Sequence, residues 1–287
     1  MPGTPPPARA DWTIDQGWAH YTAQEHAVWK TLFERQTKLL PGRACDEFVA
    51  GMRDLPIGPA QIPDFDQLNE VLMQRTGWQV VAVPGLVPDE IFFEHLAHRR
   101  FPSGNFIRKP HQLDYLEEPD VFHDIFGHVP MLMNPALADY IQAYGQGGLR
   151  AQSLGKLAQL ARVYWYTVEF GLVQQADGLR IYGAGIASSA TESLFALDSA
   201  SPNRVAFKLP RVLRTRYVID DFQRSYFVIN NLDELLELAH IDFLPLYEQA
   251  DGLPEFEAGE LTMQDRVISH GDGTYHRTRQ ASDRPLS

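Results

Sequence analysis

The sequence predicts a mainly α-helical protein with a few short β-hairpins. Apolar residues recur at helical spacing in many segments, whereas stretches rich in β-branched or aromatic residues are few and short. No internal repeat, low-complexity block or interior linker divides the chain. We therefore expect a single domain over residues 21–262, preceded by a flexible Pro-rich segment, residues 1–20, and followed by a loosely ordered tail, residues 263–287.

The first helix has the clearest local signals. Thr22 followed three residues later by Glu25 is a capping box, and Pro41-Gly42 ends the apolar stripe. Further helices are predicted at residues 45–52, 65–76, 88–99, 120–126, 135–144, 155–170, 190–197, 204–213 and 232–238. Strands are predicted at residues 78–83, 179–182 and 226–229.

The charge balance points to a small-molecule partner. The chain carries 37 acidic and 25 basic residues, a formal net charge of -12, so its surface should repel nucleic acid and anionic membranes. Cys45 is the only cysteine, which excludes an internal disulfide and agrees with a reducing cytoplasm. Neither a signal peptide nor a run of about 18 apolar residues occurs, so we expect a protein that is neither exported nor membrane-spanning.

Two histidines and one glutamate suggest a metal site. His123 and His128 lie in EPDVFHDIFGHVP, and Glu169 follows in YWYTVEFG. Two imidazoles and one carboxylate suit ferrous iron, because they leave coordination positions open for dioxygen or substrate. A spacing of five puts the histidines about 140° apart on an ideal α-helix. We expect a left-handed Gly127 to end the helix and turn His128 back, assisted by Pro130.

Other interpretations of these residues stay open. Both histidines are also explained as core-lining residues with local hydrogen bonds. Glu169 lies in an apolar, aromatic stretch, where a buried carboxylate needs a cation or a metal. A second group, Glu94, His95 and His98, is better explained as part of a charged helix face. The HExxH zinc-protease motif and the GxSxG nucleophile elbow do not occur, which removes two hydrolase classes.

Five ordered blocks resemble one family. They are VPGLV at 83–87, FIR at 106–108, EPDVFHDIFGHVP at 118–130, YWYTVEFGL at 164–172 and YGAGIASS at 182–189. From about Tyr21 to Tyr247 the chain is similar to the aromatic amino acid hydroxylases, which are tetrahydrobiopterin-dependent iron monooxygenases, and most closely to their bacterial phenylalanine-hydroxylating branch. The resemblance implies a helical basket around an iron cleft.

The same resemblance implies the reaction. It is the hydroxylation of L-phenylalanine to L-tyrosine, with dioxygen and tetrahydrobiopterin, at a mononuclear non-haem Fe(II) site. Hydroxylation of tryptophan or tyrosine is the nearest alternative, and a non-catalytic, metal-stabilised helical binding protein is a distant one. A 2-oxoglutarate-dependent oxygenase fits poorly, since that class uses a jelly roll and a different ligand order.

The resemblance also assigns residues to the site. The iron ligands it implies are His123, His128 and Glu169. Arg108 corresponds to the residue that holds the substrate carboxylate, and Asp120 to the one that orients the arginine. The other substrate positions are Pro119, Trp165, Phe170, Gly185, Ser188 and Ile219, the last an apolar residue that favours an unsubstituted ring. The pterin positions are Gly85, Leu86, Phe92, Asp124, Ala161 and Tyr164.

Departures from the family pattern shape further expectations. Leu116 replaces a threonine that helps to hold the substrate carboxylate in animal members, so Arg108 should matter more here. The sequence has no room for the animal enzymes' regulatory domain and no heptad-bearing C-terminal helix. We therefore expect a cytoplasmic monomer.

Overall fold

The computed structural model describes residues 8–114 and 118–282, and these residues are mostly helical. The α-helices are α1 Ala23–Leu39, α2 Asp46–Asp54, α3 Phe65–Arg75, α4 Asp89–Ala97, α5 Val129–Leu132, α6 Pro135–Ser153, α7 Leu157–Tyr164, α8 Ala184–Ala187, α9 Ala190–Asp198, α10 Leu209–Val212, α11 Asp233–Ala239, α12 Leu244–Ala250 and α13 Thr274–Ser282. Two segments are π-helical, His123–His128 and Trp165–Glu169. The mainly α prediction is confirmed.

The strands form two small sheets. They are β1 Gln79–Val83, β2 Arg100–Gly104, β3 Leu172–Gln175, β4 Gly178–Ile181, β5 Asn203–Ala206, β6 Ser225–Ile229 and β7 Val267–Ser269. β1 and β2 pair in parallel, and the other five have the order β4-β3-β6-β5-β7. Among the strands of the described residues, only β3 and β4 make a tight hairpin. The predicted strands 78–83, 179–182 and 226–229 correspond to β1, β4 and β6.

The prediction of a helix over residues 204–213 is wrong. Its first residues belong to β5, which pairs in parallel with β6, and only Leu209–Val212 is helical. All four β5 residues are buried. A strand that is covered on both faces shows no alternation of apolar and polar residues, so its pattern does not distinguish it from a buried helix.

Both terminal segments contain ordered structure. In the first, the Ile14 N–H donates to Ala82 O at 2.9 Å, and the Trp18 indole donates to Ile62 O at 2.7 Å. The second contains β7 and α13, although the sequence predicted a loose tail. Parts of the predictions for the two terminal segments, and the prediction for Leu116, concern positions outside the described residues: 1–7, 283–287 and 116.

An aromatic core supports the histidine-bearing segment. The Phe122 and Phe126 rings stack with centroids 4.9 Å apart, and the α1 residues Trp29 and Phe33 pack edge-on against them at 5.3 and 5.7 Å. These apolar side chains cover one side of the segment and leave the histidines on the other. Within the described residues, no helix is both long and apolar enough to cross a membrane.

Candidate metal centre and substrate cleft

A π-helical turn brings the two histidines together. His123 and His128 begin and end the segment His123–His128, which leads directly into α5. A π turn closes its hydrogen bonds between residues five apart, so two side chains at this spacing share one side. The prediction that a left-handed Gly127 ends the helix is wrong: the chain stays right-handed, with φ -92° and ψ -44° at His128, and continues through Pro130.

Gly127 has a different role, which is close packing. A Cβ atom on this residue would lie 2.8 Å from Ala184 O and 3.2 Å from Ala184 Cβ. α8 therefore lies directly against the backbone between the two histidines. A larger residue at position 127 would separate the two elements.

Glu169 is presented by the second π-helical segment. The Phe170 N–H donates to Trp165 O at 2.8 Å, a bond between residues five apart. The Glu169 carboxylate then lies beside both imidazoles, with Oε1 3.0 Å from His128 Nε2 and Oε2 3.6 Å from His123 Nε2. The two Nε2 atoms are 3.2 Å apart. Among the described residues, these three make the one cluster with metal-binding geometry.

The protonation of the cluster suits a cation. Burial lowers the pKa of His123 to about 4, so its imidazole is neutral at pH 7. Burial alone would raise the pKa of Glu169, but the two imidazoles outweigh it and hold the pKa below its ordinary value. Ser188 Oγ donates to Ala184 O at 2.8 Å and lies 3.0 Å from His123 Nδ1. Ser188 Oγ therefore accepts a hydrogen bond from the protonated Nδ1, which leaves the Nε2 lone pair free for a metal.

The distances in the cluster fit a shared metal ion. Ligand atoms bound about 2 Å from one ion and at right angles to each other are about 3 Å apart. The separations of 3.2 Å between the two Nε2 atoms and 3.0 Å between His128 Nε2 and Glu169 Oε1 match this value. Two imidazoles and one carboxylate are the ligand set expected for non-haem ferrous iron.

A cleft of about 1040 Å³ opens beside this cluster. Most predicted site residues line it: Leu86, Phe92, Arg108, Pro119, His123, Ala161, Tyr164, Trp165, Glu169, Phe170, Gly185, Ser188 and Ile219. The remaining four are not part of the lining: Gly85, Asp120, Asp124 and His128. The last three are buried behind the wall.

Arg108 is held by a completely buried partner. Its Nε and Nη2 atoms donate to Asp120 Oδ2 and Oδ1 at 2.8 and 2.9 Å, and its own backbone N–H donates to Oδ2 at 2.8 Å. Burial alone would raise the pKa of Asp120, but Arg108 outweighs it and holds that pKa below its ordinary value. Asp120 thus occupies the Nε–Nη2 edge of the guanidinium, Nη1 donates to Leu113 O at 3.4 Å, and Arg108 is part of the lining of the cleft.

Aromatic rings in contact form one wall of the cleft. The Trp165 ring lies 4.7 Å from the Phe170 ring and 4.4 Å from the Tyr217 ring, centroid to centroid. A Cβ on Gly185 would lie 2.9 Å from Phe170 Cζ, so glycine lets the Phe170 ring approach. A flat, apolar wall of this kind suits an aromatic ring.

The predicted pterin residues lie at the other side of the cleft. The Phe92 ring packs edge-on against Tyr164, with centroids 5.9 Å apart. At the rim, the Leu86 N–H donates to Glu118 Oε1 at 3.2 Å, and a Cβ on Gly85 would lie 2.7 Å from the same oxygen. Asp124 lies deeper, where it accepts the Gly104 N–H at 2.9 Å and burial raises its pKa to about 7.

Ile219 lies at the mouth of the cleft. Its side chain is 72% exposed, similar to Leu86 at 71%. Both residues border the entrance more than the interior.

Several lining residues were missed by the sequence analysis. Gln223 Oε1 accepts the Trp165 indole N–H at 2.9 Å, and Glu192 is buried beside it, hydrogen-bonded to the Tyr226 hydroxyl. Asp221, Tyr275 and Arg279 also border the cleft. The sequence pattern around Glu192 was misleading, because Ser189 followed three residues later by Glu192 matches a capping box. That pattern predicts that the Glu192 carboxylate caps the start of its own helix and does not line a cleft.

The second histidine group forms no metal site in the described part of the chain. His95 is buried and its Nε2 lies 2.8 Å from Asp11 O, whereas His98 is exposed and contacts Glu94 on the same helix. Glu94 and His98 are exposed, in agreement with the predicted charged helix face, whereas the prediction is wrong for His95, which is buried.

Comparison with known proteins identifies the family. A sequence-family model described as biopterin-dependent aromatic amino acid hydroxylase matches residues 16–241. The chain belongs to this family. The predicted family resemblance is therefore confirmed.

Individual members of the family are very similar to this chain. A phenylalanine-4-hydroxylase of Caulobacter vibrioides is 60% identical over 273 residues, 95% of this chain and 93% of that protein. The crystal structure of Chromobacterium violaceum phenylalanine hydroxylase with bound Fe(III) superposes with a TM-score of 0.89 at 56% identity, covering 91% of this chain and 96% of the other. A second structure of that enzyme holds iron(III) and 7,8-dihydrobiopterin, with a TM-score of 0.88 and 56% identity over 91% of this chain and 95% of the other.

Proposed function

We propose that this biopterin-dependent hydroxylase converts L-phenylalanine to L-tyrosine, with dioxygen and tetrahydrobiopterin as co-substrates, at an Fe(II) ion held by His123, His128 and Glu169. The observation that carries the proposal is the convergence of these three side chains beside a cleft with an aromatic wall and a buried arginine. The names of the similar enzymes support phenylalanine as the substrate.

Recognition of the amino acid begins at Arg108. Arg108 lines the cleft, and Asp120 holds the Nε–Nη2 edge of its guanidinium. Paired N–H groups match a carboxylate in a planar, bidentate arrangement. Because the pair is buried, this interaction is weakly screened by water. Arg108 therefore binds the substrate carboxylate and orients the ring.

The ring of the substrate lies against Trp165, Phe170 and Pro119, with Gly185 and Ser188 completing the pocket. These side chains offer a phenolic hydroxyl no charged partner in the wall, and Ile219 at the mouth adds none. An apolar pocket discriminates only modestly against an added hydroxyl group. The pocket therefore favours phenylalanine over tyrosine only modestly, and product analysis distinguishes phenylalanine from tyrosine and tryptophan as the substrate.

The pterin occupies the side of the cleft formed by Leu86, Phe92, Ala161 and Tyr164, near Gly85 and Asp124. A flat heterocycle gains from offset contact with the Phe92 and Tyr164 rings. Together, bound ferrous iron and the reduced pterin supply the activation of dioxygen. The chain's own residues hold the reactants, exclude water and keep His123 in the tautomer whose Nε2 is unprotonated.

The test is a coupled assay on ferrous-loaded protein with phenylalanine, tetrahydrobiopterin and dioxygen. Tyrosine formation in step with pterin oxidation is the expected result. If only tryptophan or only tyrosine is hydroxylated as the pterin is oxidised, that amino acid is the substrate in place of phenylalanine. Bound iron with no oxidation of pterin by any aromatic amino acid would instead favour the metal-stabilised binding protein.

The chain is further proposed to act as a cytoplasmic monomer with one catalytic domain that includes residues 21–262. Light scattering after size-exclusion chromatography at assay concentration tests this: a mass near 32.5 kDa is expected. A dimeric or tetrameric mass would contradict it. Cell fractionation tests the location.

A further inference from the structure

The position of the aromatic wall depends on one loop, residues 217–223, which we call the wall loop. Tyr217 stacks on Trp165 with an interplanar angle of 17°. Gln223 accepts the Trp165 indole N–H through Oε1, and its Nε2 donates to Val218 O at 2.9 Å. The loop therefore holds the indole by one stacked ring and one hydrogen bond. Any shift of the loop moves the surface that faces the substrate ring.

The outer side of the wall loop is held by α13. The Asp221 carboxylate accepts the Tyr275 hydroxyl at 3.0 Å and the Arg279 Nη1 at 2.7 Å. His276 Nδ1 lies 3.6 Å from the other oxygen of Asp221. The Phe222 ring packs 5.1 Å from the Tyr275 ring. Hydrogen bonds to an ionised group are stronger than neutral ones, so Asp221 is the main polar link between loop and helix.

The helix is in turn fixed to the sheet. β7 and α13, residues 267–282, form what we call the C-terminal strap. β7 pairs with β5, and the Tyr275 N–H donates to Ser201 Oγ at 3.1 Å. A Cβ on Gly271 would lie 2.3 Å from Ser201 O, so the strap lies directly on the backbone below it. The family match ends at residue 241, so the strap follows the matched region.

We propose that the C-terminal strap positions the wall loop through Asp221, and thereby sets how tightly the cleft holds the aromatic ring of the substrate. The inference rests on the proposed function for the identity of that ring. Asp221, Tyr275 and Arg279 are positioning residues, since they act through the loop and Trp165. Loops without such an anchor are mobile, and a mobile wall binds a ring less well.

The test compares variants of the full-length, iron-loaded protein. The double variant Tyr275→Phe, Arg279→Ala removes both hydrogen bonds to Asp221 and leaves the loop sequence intact. We expect the KM for phenylalanine to rise about tenfold while kcat changes less than about twofold, because uniform binding is lost. We also expect less tyrosine per pterin oxidised. General destabilisation would instead reduce the active fraction, so it would lower kcat at unchanged KM.

Two further variants sharpen the result. Arg277→Ala is the matched control, because this arginine lies on the same helix but contacts Asp272 O within the strap. It should leave both KM and coupling unchanged. Asp221→Asn removes the charge of the same ion pair from the side of the wall loop. When it is added to the double variant, the KM for phenylalanine should rise little further, because the substitutions in the loop and in α13 break the same contact. An unchanged KM in the double variant, or an equal change in the control, would overturn the inference.

Hydrogen exchange separates this inference from the proposed function. Residues 217–223 should exchange faster in the double variant than in the wild type or in Arg277→Ala, whatever the substrate. If the wild type makes no tyrosine but the double variant exchanges faster, the proposed hydroxylation of phenylalanine is refuted, while the positioning of the wall loop by the C-terminal strap is supported. If exchange of residues 217–223 is unchanged in the double variant, the proposed role of the C-terminal strap is refuted, even if the wild type is active.

Discussion

Replacement of Arg108 should affect stability and substrate binding through separate causes. Asp120 is 0% exposed and accepts three hydrogen bonds from Arg108. In Arg108→Leu the buried carboxylate loses its counter-ion, a change that costs about 3–5 kcal/mol in known cases. Protonation limits this cost, because neutralising a carboxyl whose ordinary pKa is 3.8 costs about 4 kcal/mol at pH 7. The backbone N–H groups of residues 108 and 123 remain as donors to Asp120. We therefore expect Arg108→Leu to lower the free energy of unfolding by about 3 kcal/mol.

Two variants separate the causes. Arg108→Leu with Asp120→Asn removes the orphaned charge and should recover most of the lost stability. Its KM for phenylalanine should nevertheless stay about ten- to a hundredfold above wild type, the loss expected for a charge-assisted contact. Arg108→Lys keeps the charge beside Asp120, so its stability should fall by only about 1 kcal/mol while KM still rises.

The assays are urea denaturation at pH 7, steady-state kinetics with phenylalanine, and iron content. Iron should stay bound in all three variants, because the arginine forms no hydrogen bond or ion pair with any of the three ligand side chains in the described residues. The reasoning about Asp120 is refuted if the double variant is no more stable than Arg108→Leu. An unchanged KM in Arg108→Lys would refute the substrate role.

Other perturbations test the metal centre and the core. Glu169→Gln should sharply weaken iron retention and turnover, because a neutral amide replaces the only anionic ligand; near-normal iron content would contradict the assignment. Gly127→Ala should lower the free energy of unfolding in urea by about 1–3 kcal/mol and weaken iron binding, because the new Cβ would lie too close to Ala184 O. A variant as stable as the wild type would show that α8 moves away from residue 127 without an energetic cost. Burial raises the pKa of Glu192 from its ordinary value of 4.5 to about 7, so the stability this group contributes is present below pH 4.5 and is lost as pH rises through 7. By pH 8, Glu192→Gln should therefore be more stable than wild type by about 3 kcal/mol, a difference that should vanish near pH 4; a pH-independent difference would refute the titration.

The candidate ligands were identifiable from the sequence by residue type, but their arrangement was not. The spacing of His123 and His128 conflicts with an α-helix, and the explanation through a left-handed Gly127 was wrong. A π turn depends on packing around it: Gly127 against α8 on one side, and the Phe122 and Phe126 rings against α1 on the other. These contacts join segments far apart in the chain, so no local pattern reports them.

The sequence by itself determined the helices with a clear apolar stripe, the acidic character of the chain and the residues of the family motifs, because periodicity, charge and residue type are local properties. Tertiary structure alone decided that residues 203–206 form a buried strand, that a π turn brings His123 and His128 together, and that α13 contacts Asp221. Each of these depends on which distant surface covers a residue. Burial by a distant segment sets strand pairing, ion pairing and pKa, and the chain sequence carries no local record of it.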